Sequence, residues 1–335
     1  MMRLPKMDHC APTTVREAIS FLDKHGAEVK VLAGGTDLVA ACKLRNIRPD
    51  LLVSLARIPE LKGIRFQEGE GLKIGAMTSL YNVRHDSSVL HHYPALAQAA
   101  AAVGTMQLQY MGTLGGNLCL NTRCIFYNQS DAWRRSREVC FKMGGELCHV
   151  VPKGKKCYAV FSADTVPALI ALGAQVKLIS SSGERMISIK QLYTGDGREP
   201  IAVKSGELLT EIRIPQPAGR QDSTYLKYRL RGSIDFPLVG VAVRIDSNGD
   251  GVCTDCSVVL NAVGSAPVEV PGVGDLLKEK ALTGDLVDQV AEKAIKNAHP
   301  VANTAGSTPA YRRKMAGTLT RRALVSVAHR LGLMK

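Results

Sequence analysis

The sequence predicts an α+β protein in two parts, and three observations carry that expectation. Short runs of helical and strand character alternate through the first hundred residues. A glycine- and charge-rich stretch from Leu118 to Phe161 interrupts the alternation. After Pro215 and Pro217 the pattern changes to strands of alternating hydrophobicity followed by two long helix-like runs. The expected parts are 1–219, with 118–161 as an insertion, and 220–335.

In chain order, Thr14 and Glu17 can form a capping box, and Val15, Ala18, Ile19 and Leu22 recur at helical spacing until Gly26. Val29 to Leu32 reads as a strand, Ala33-Gly34-Gly35-Thr36-Asp37 as a glycine turn, and Leu38 as the start of a helix. Leu51–Leu55 and Gly71–Ala76 are further strands, and the alanine-rich run Ala95–Val103 is a helix that Gly104 ends. Thr113-Leu114-Gly115-Gly116-Asn117 is a second glycine turn. Ala163–Ala174 is apolar and helix-forming, and Val176–Ile179 resumes a strand. Tyr225–Arg231, Val239–Ile245 and Val258–Val263 suit an antiparallel sheet with a turn at Ser247–Gly251, and Leu286–Ala298 and Tyr311–Leu331 suit helices.

The composition, 45% hydrophobic and 22% charged over 335 residues, is that of a globular chain with real cores. Nothing resembles a signal peptide or a bilayer-spanning run, and nine cysteines in an odd-numbered set suit a reducing compartment, so the cytoplasm is expected, with no membrane association. The net charge of +13 fits an acidic or phosphorylated partner, but basic residues are scattered and no nucleic-acid-binding motif is present, so no nucleic-acid partner is expected.

Glycine lets backbone N–H groups approach a diphosphate closely, so two glycine turns in one chain could grip a dinucleotide, although neither matches GxGxxG or a P-loop. The insertion holds Cys124-x15-Cys140-x7-Cys148-x8-Cys157, four thiols without zinc-ribbon or ferredoxin spacing. Seven Lys and Arg lie between the outer pair (Arg134, Arg135, Arg137, Lys142, Lys153, Lys155, Lys156) against three acids (Asp131, Glu138, Glu146), an excess that would stabilise an anionic thiolate site. Trp133, Phe126, Tyr127 and Phe141 could shield it from water. An iron–sulfur cluster, a zinc ion and free thiols all remain open on these grounds. Cys119 is a reserve ligand, Cys10 and Cys42 are isolated, and Cys253-Thr254-Asp255-Cys256 starts a strand. The histidines show no metal spacing, and no catalytic triad or carboxylate pair stands out.

LAGGTDL at Leu32–Leu38, TLGGN at Thr113–Asn117, the SAD of Ser162–Asp164 and YRRKMAGTLTRRAL near the C-terminus together resemble the FAD-binding subunits of the xanthine oxidase family of molybdenum hydroxylases. The resemblance covers essentially the whole chain. Most members run from TxGGN almost directly into the SAD helix, so residues 118–161 are an addition. With its NLCLNTRCIFYNQS and later cysteines, this addition is similar to the cluster-bearing loop of the 4-hydroxybenzoyl-CoA reductases in that family.

The resemblance implies an FAD-binding PCMH-type domain of two α/β subdomains, followed by a CO dehydrogenase flavoprotein C-terminal-like domain. It implies FAD at Leu32, Ala33, Gly34, Gly35, Thr36, Asp37 and Leu38 and at Thr113, Gly115, Gly116 and Asn117. Asp164 would meet ribityl or ribose hydroxyls, Lys227 the isoalloxazine, and Val103 and Leu208 would make apolar flavin contacts. Cys124, Cys140, Cys148 and Cys157 would hold a [4Fe-4S] cluster. The implied activity is that of an oxidoreductase subunit without catalytic residues of its own. It would pass electrons from ferredoxin through the cluster and FAD to a [2Fe-2S] small subunit and a molybdopterin large subunit, where 4-hydroxybenzoyl-CoA is reductively dehydroxylated. The alternatives are the FAD subunit of a xanthine dehydrogenase-like hydroxylase and a zinc-stabilised nucleotide-binding scaffold.

Overall fold

The computed structural model describes residues 3–334 and contains three sheets. The first is parallel. Strands β1 (Asp8–Cys10) and β2 (Val29–Leu32) flank β3 (Leu51–Ser54), and helices α1 (Val15–His25) and α2 (Leu38–Lys43) carry the chain between them. In α1, Thr14 Oγ1 accepts from the Glu17 N–H at 3.1 Å, and Ala18, Ile19 and Leu22 are buried against the sheet. The Glu17 carboxylate takes the Thr13 N–H at 2.8 Å, one residue before the expected partner, so only half of the capping box forms. The first glycine segment leaves the carboxyl end of β2, the side on which open α/β sheets bind ligands.

The second sheet is wholly antiparallel, in the order β4-β5-β8-β6-β7: β4 (Ile64–Gln67), β5 (Gly71–Gly75), β6 (Gln175–Ser180), β7 (Gly183–Ser188) and β8 (Leu208–Ile214). Between β5 and β6 run α3 (Leu80–His85), α4 (Ser87–His92), α5 (Pro94–Ala102), α6 (Met106–Met111), α7 (Leu114–Leu118), α8 (Asp131–Arg135) and α9 (Thr165–Ala171). The sequence reading lacks β4, β7 and β8. The stretch GERMIS is largely polar, and LLTEIRI places charges among its apolar residues.

The third sheet is an antiparallel meander of β9 (Arg220–Tyr228), β10 (Val239–Ser247), β11 (Cys253–Asn261) and β12 (Val268–Glu269). Helices α10 (Val273–Leu277), α11 (Gly284–Asn297) and α12 (Pro309–Leu331) complete that core. Glycine inside a helix weakens it, yet Gly317 lets α12 lie against α11: a Cβ there would sit 2.6 Å from Ile295.

Helices α5 and α9 join the second and third sheets. Ala95, Ala99, Ala168 and Ala171 pack on Tyr225, Ala242 and Val259, because small side chains let helix backbones come close to a sheet. Gln98 adds specificity, its Oε1 accepting from the Tyr225 N–H at 2.8 Å and the Thr224 hydroxyl at 2.9 Å.

Candidate flavin and iron–sulfur site

The two glycine segments meet. A Cβ on Gly34 would lie 1.8 Å from the Met111 carbonyl oxygen, and one on Gly116 would lie 3.6 Å from Ala33 Cβ. Gly35 has φ +71°, a conformation that favours glycine. The N–H groups of Gly34, Gly35, Thr36 and Asp37 have no acceptor among the described residues. This run of unpaired donors at the end of a parallel strand suits the oxygens of a diphosphate.

The second segment differs from the expected turn. It is the helical turn α7, capped by Thr113, whose Oγ1 accepts from the Gly116 N–H at 3.1 Å. The Leu114, Gly115 and Asn117 N–H groups bond to Thr78, Ala76 and Thr113 carbonyls, so this segment offers closeness and not free donors. Gly115 is needed for that packing, since a Cβ would meet Ala76 at 2.7 Å. Asn117 Oδ1 accepts from Thr165 Oγ1 at 2.7 Å and ties α7 to α9.

Asp164 and Lys227 form a buried ion pair at 2.8 Å, each side chain 4% exposed. The Tyr225 hydroxyl donates to Asp164 Oδ1 at 2.7 Å, and Lys227 Nζ also donates to the Ala102 carbonyl at 2.9 Å. Burial raises the Asp164 carboxyl, and it lowers Lys227; each partner opposes the other's shift. Val103, beside Ala102, is half-buried against the core of the second sheet, whereas Leu208 is buried with Met77 in the core of the first, parallel sheet. Leu32, Ala33 and Leu38 are half-buried around the first segment, and Thr36 is exposed.

The cysteine insertion is mostly irregular. A ladder pair between Arg123 and Val160 closes its neck, and buried Arg134 fastens it to the first unit by donating to the Arg45 carbonyl at 3.1 Å and internally to the Gln129 carbonyl at 3.0 Å. Cys148 and Cys157 are buried, and Cys124 and Cys140 half-buried. The four are electrostatic neighbours. Cys140 and Cys148 act on Cys124, whose thiol is raised chiefly by burial, and Cys157 is pushed up to about 11 by burial with Cys124 and Cys140 beside it. Lys142 faces the set. Burial lowers it to about 8, thiols of Cys157, Cys124 and Cys140 oppose that shift, and its Nζ donates to Asn121 Oδ1 at 2.8 Å and Thr122 Oγ1 at 2.7 Å.

Among the described residues no group of three or more His, Cys, Asp or Glu side chains is arranged as it would be around a bound metal ion. Cys119 is exposed and neighbours Tyr193.

Residues 5–217 match the FAD binding domain in molybdopterin dehydrogenase, and residues 224–327 match the CO dehydrogenase flavoprotein C-terminal domain. The chain belongs to this family. The flavoprotein subunit is 30% identical to the carbon monoxide dehydrogenase medium chain of Afipia carboxidovorans over 317 residues, 95% of each chain. It is 25% identical to the 6-hydroxypseudooxynicotine dehydrogenase complex subunit alpha of Paenarthrobacter nicotinovorans, covering 98% of this chain and 97% of that one. Carbon monoxide dehydrogenase from Hydrogenophaga pseudoflava superposes with a TM-score of 0.81 at 26% identity, over 98% of this chain and 99% of that one. The flavoprotein subunit is thus an FAD-binding oxidoreductase subunit of the molybdenum hydroxylase family. None of its described helices is long and apolar enough to cross a membrane.

Sequence reasoning passed over Arg123, Tyr225 and the anchoring role of Arg134, and counted Lys142 only as a charge. The position of Arg123 directly before Cys124 is a usable signal. The reach of Arg134 to Arg45 is not, because only folding brings them together.

Proposed function

We propose that this subunit holds FAD on the Leu32–Leu38 and Thr113–Asn117 segments and a [4Fe-4S] cluster on Cys124, Cys140, Cys148 and Cys157. It serves as the electron-transfer subunit of a 4-hydroxybenzoyl-CoA reductase-type enzyme. The observation that carries this reading is the folding of four insertion cysteines into one basic neighbourhood whose neck touches the first glycine segment.

Bound there, flavin exchanges one or two electrons and the iron–sulfur cluster one, which lets the subunit join carriers of both kinds. The chain's own residues supply position and charge. The Gly34–Asp37 donors would hold the diphosphate, the Asp164–Lys227 pair fixes α9 against β9, and Lys142 offsets thiolate charge. The domains, taken as 1–219 and 220–335, would sit with a molybdopterin large subunit and a [2Fe-2S] small subunit in a cytoplasmic complex, where the large subunit would determine the substrate. A xanthine dehydrogenase-like role keeps support from the full-length similarity to relatives of several activities.

The native complex purified without oxygen tests this reading. Absorption should show flavin near about 450 nm and a bleachable iron–sulfur shoulder near about 400 nm. Cys124→Ser should remove iron and sulfide equivalent to one cubane per subunit while leaving the [2Fe-2S] signals. Unchanged iron in that variant would contradict the ligand set.

A further inference from the structure

Arg123 stands where the two proposed cofactor regions touch. Its backbone pairs with Val160 at the neck of the insertion, N to O at 2.8 Å and O to N at 2.7 Å, and the next residue is Cys124. Its guanidinium crosses to Asp37, 86 positions earlier, and forms an ion pair with the Asp37 Oδ1 carboxylate oxygen. The guanidinium carbon also lies 4.7 Å from the centre of the Phe236 ring, contributed by the loop between β9 and β10. The pair is mostly buried, the side chains 24% and 28% exposed, and Arg123 Nε is buried without a partner.

Asp37 closes the run of unpaired N–H groups that begins at Gly34. A carboxylate at that place opposes the arrival of a diphosphate, because two anions at short range in a partly desolvated loop repel. A second charge must cancel it. The cation that does so comes from the cysteine insertion, not from the first unit.

We propose that Arg123 is a positioning residue for FAD: it neutralises Asp37 and so makes the Gly34–Asp37 loop receptive to the diphosphate. The inference rests on the reading of that loop as the diphosphate site. It gives the insertion a second role, because the neck of the cysteine loop then sets flavin affinity directly.

The test is FAD affinity of the native complex, measured by rebinding flavin to the deflavinated complex and following flavin fluorescence, for Arg123→Gln, Arg123→Lys, Asp37→Asn, Gly34→Ala and the Arg123→Gln/Asp37→Asn double variant. Arg123→Gln should weaken FAD by about tenfold or more, Arg123→Lys by less, and adding Asp37→Asn should restore most of the loss, since the repelling carboxylate is then gone. Iron content and circular dichroism report whether each variant folds. Rescue by Asp37→Asn is the outcome that mere structural support does not produce. Wild-type affinity in Arg123→Gln, or a folded Arg123→Gln variant that Asp37→Asn fails to rescue, overturns the proposal. If Gly34→Ala weakens FAD while Arg123→Gln does not, the loop assignment survives and only this inference fails; if neither changes affinity, both fail.

Discussion

A methyl group on Gly34 would have to occupy space 1.8 Å from the Met111 carbonyl oxygen, and backbone atoms cannot yield as a side-chain end can. Gly34→Ala should therefore push the first segment away from Met111 and lower the flavin-to-protein ratio severalfold, read from absorbance of the purified complex; full flavin occupancy would refute the loop assignment. The Asp164–Lys227 pair makes a different kind of residue-scale claim. Removing one partner of a buried pair strands the other, so Asp164→Ala should lower stability by about 3–5 kcal/mol in denaturant unfolding. A loss below about 1 kcal/mol would place the pair among weak surface bridges. The family resemblance singled out both residues, each as an expected flavin contact. Their mutual engagement was not legible in the sequence, because they lie 63 positions apart and meet only when α9 packs on β9.

At the scale of elements, the sequence showed best what periodicity and punctuation encode. The β2 bounds, the Gly26 stop, the alanine-rich α5 and the helices α11 and α12 were all readable, since their signals are local. The second glycine segment was misread as a turn because Gly-Gly is a turn signal, whereas Thr113 caps it into a helix. Strands β7 and β8 were missed because charged residues obscure their alternation, and their pairing with β6 across the antiparallel sheet supplies what propensity does not. The insertion has little regular structure and relies on Arg134, the neck ladder and, in this account, the cluster. Cys148→Ser should thus speed amide exchange across residues 124–157 while α5 and β10 keep their protection. Equal protection in both proteins would show that the loop folds without metal. The α5 contact makes a sharper case: Ala99→Leu should overpack the seam against the third sheet and destabilise by about 1–3 kcal/mol in denaturant unfolding.

For the whole molecule, the Arg123–Asp37 ion pair joins the donor-lined loop to the neck of the cysteine insertion, while the alanine seam locks the third sheet to the second. Exposed cations border the insertion: the Arg48 and Arg135 side chains are 52% and 68% exposed, sharing Asp131 between them. If an acidic ferredoxin docks there, its electron-transfer rate to the complex should fall as salt rises; a rate constant across a wide ionic-strength range would exclude that approach. The most direct measurement is the iron, acid-labile sulfide and FAD content of the native complex, purified without oxygen as wild type and as Cys124→Ser. The expected content is one FAD per flavoprotein subunit and one cubane's iron and sulfide beyond the [2Fe-2S] share, with only the cubane's portion lost in Cys124→Ser. Wild-type complex holding flavin but no iron beyond the [2Fe-2S] share would contradict it.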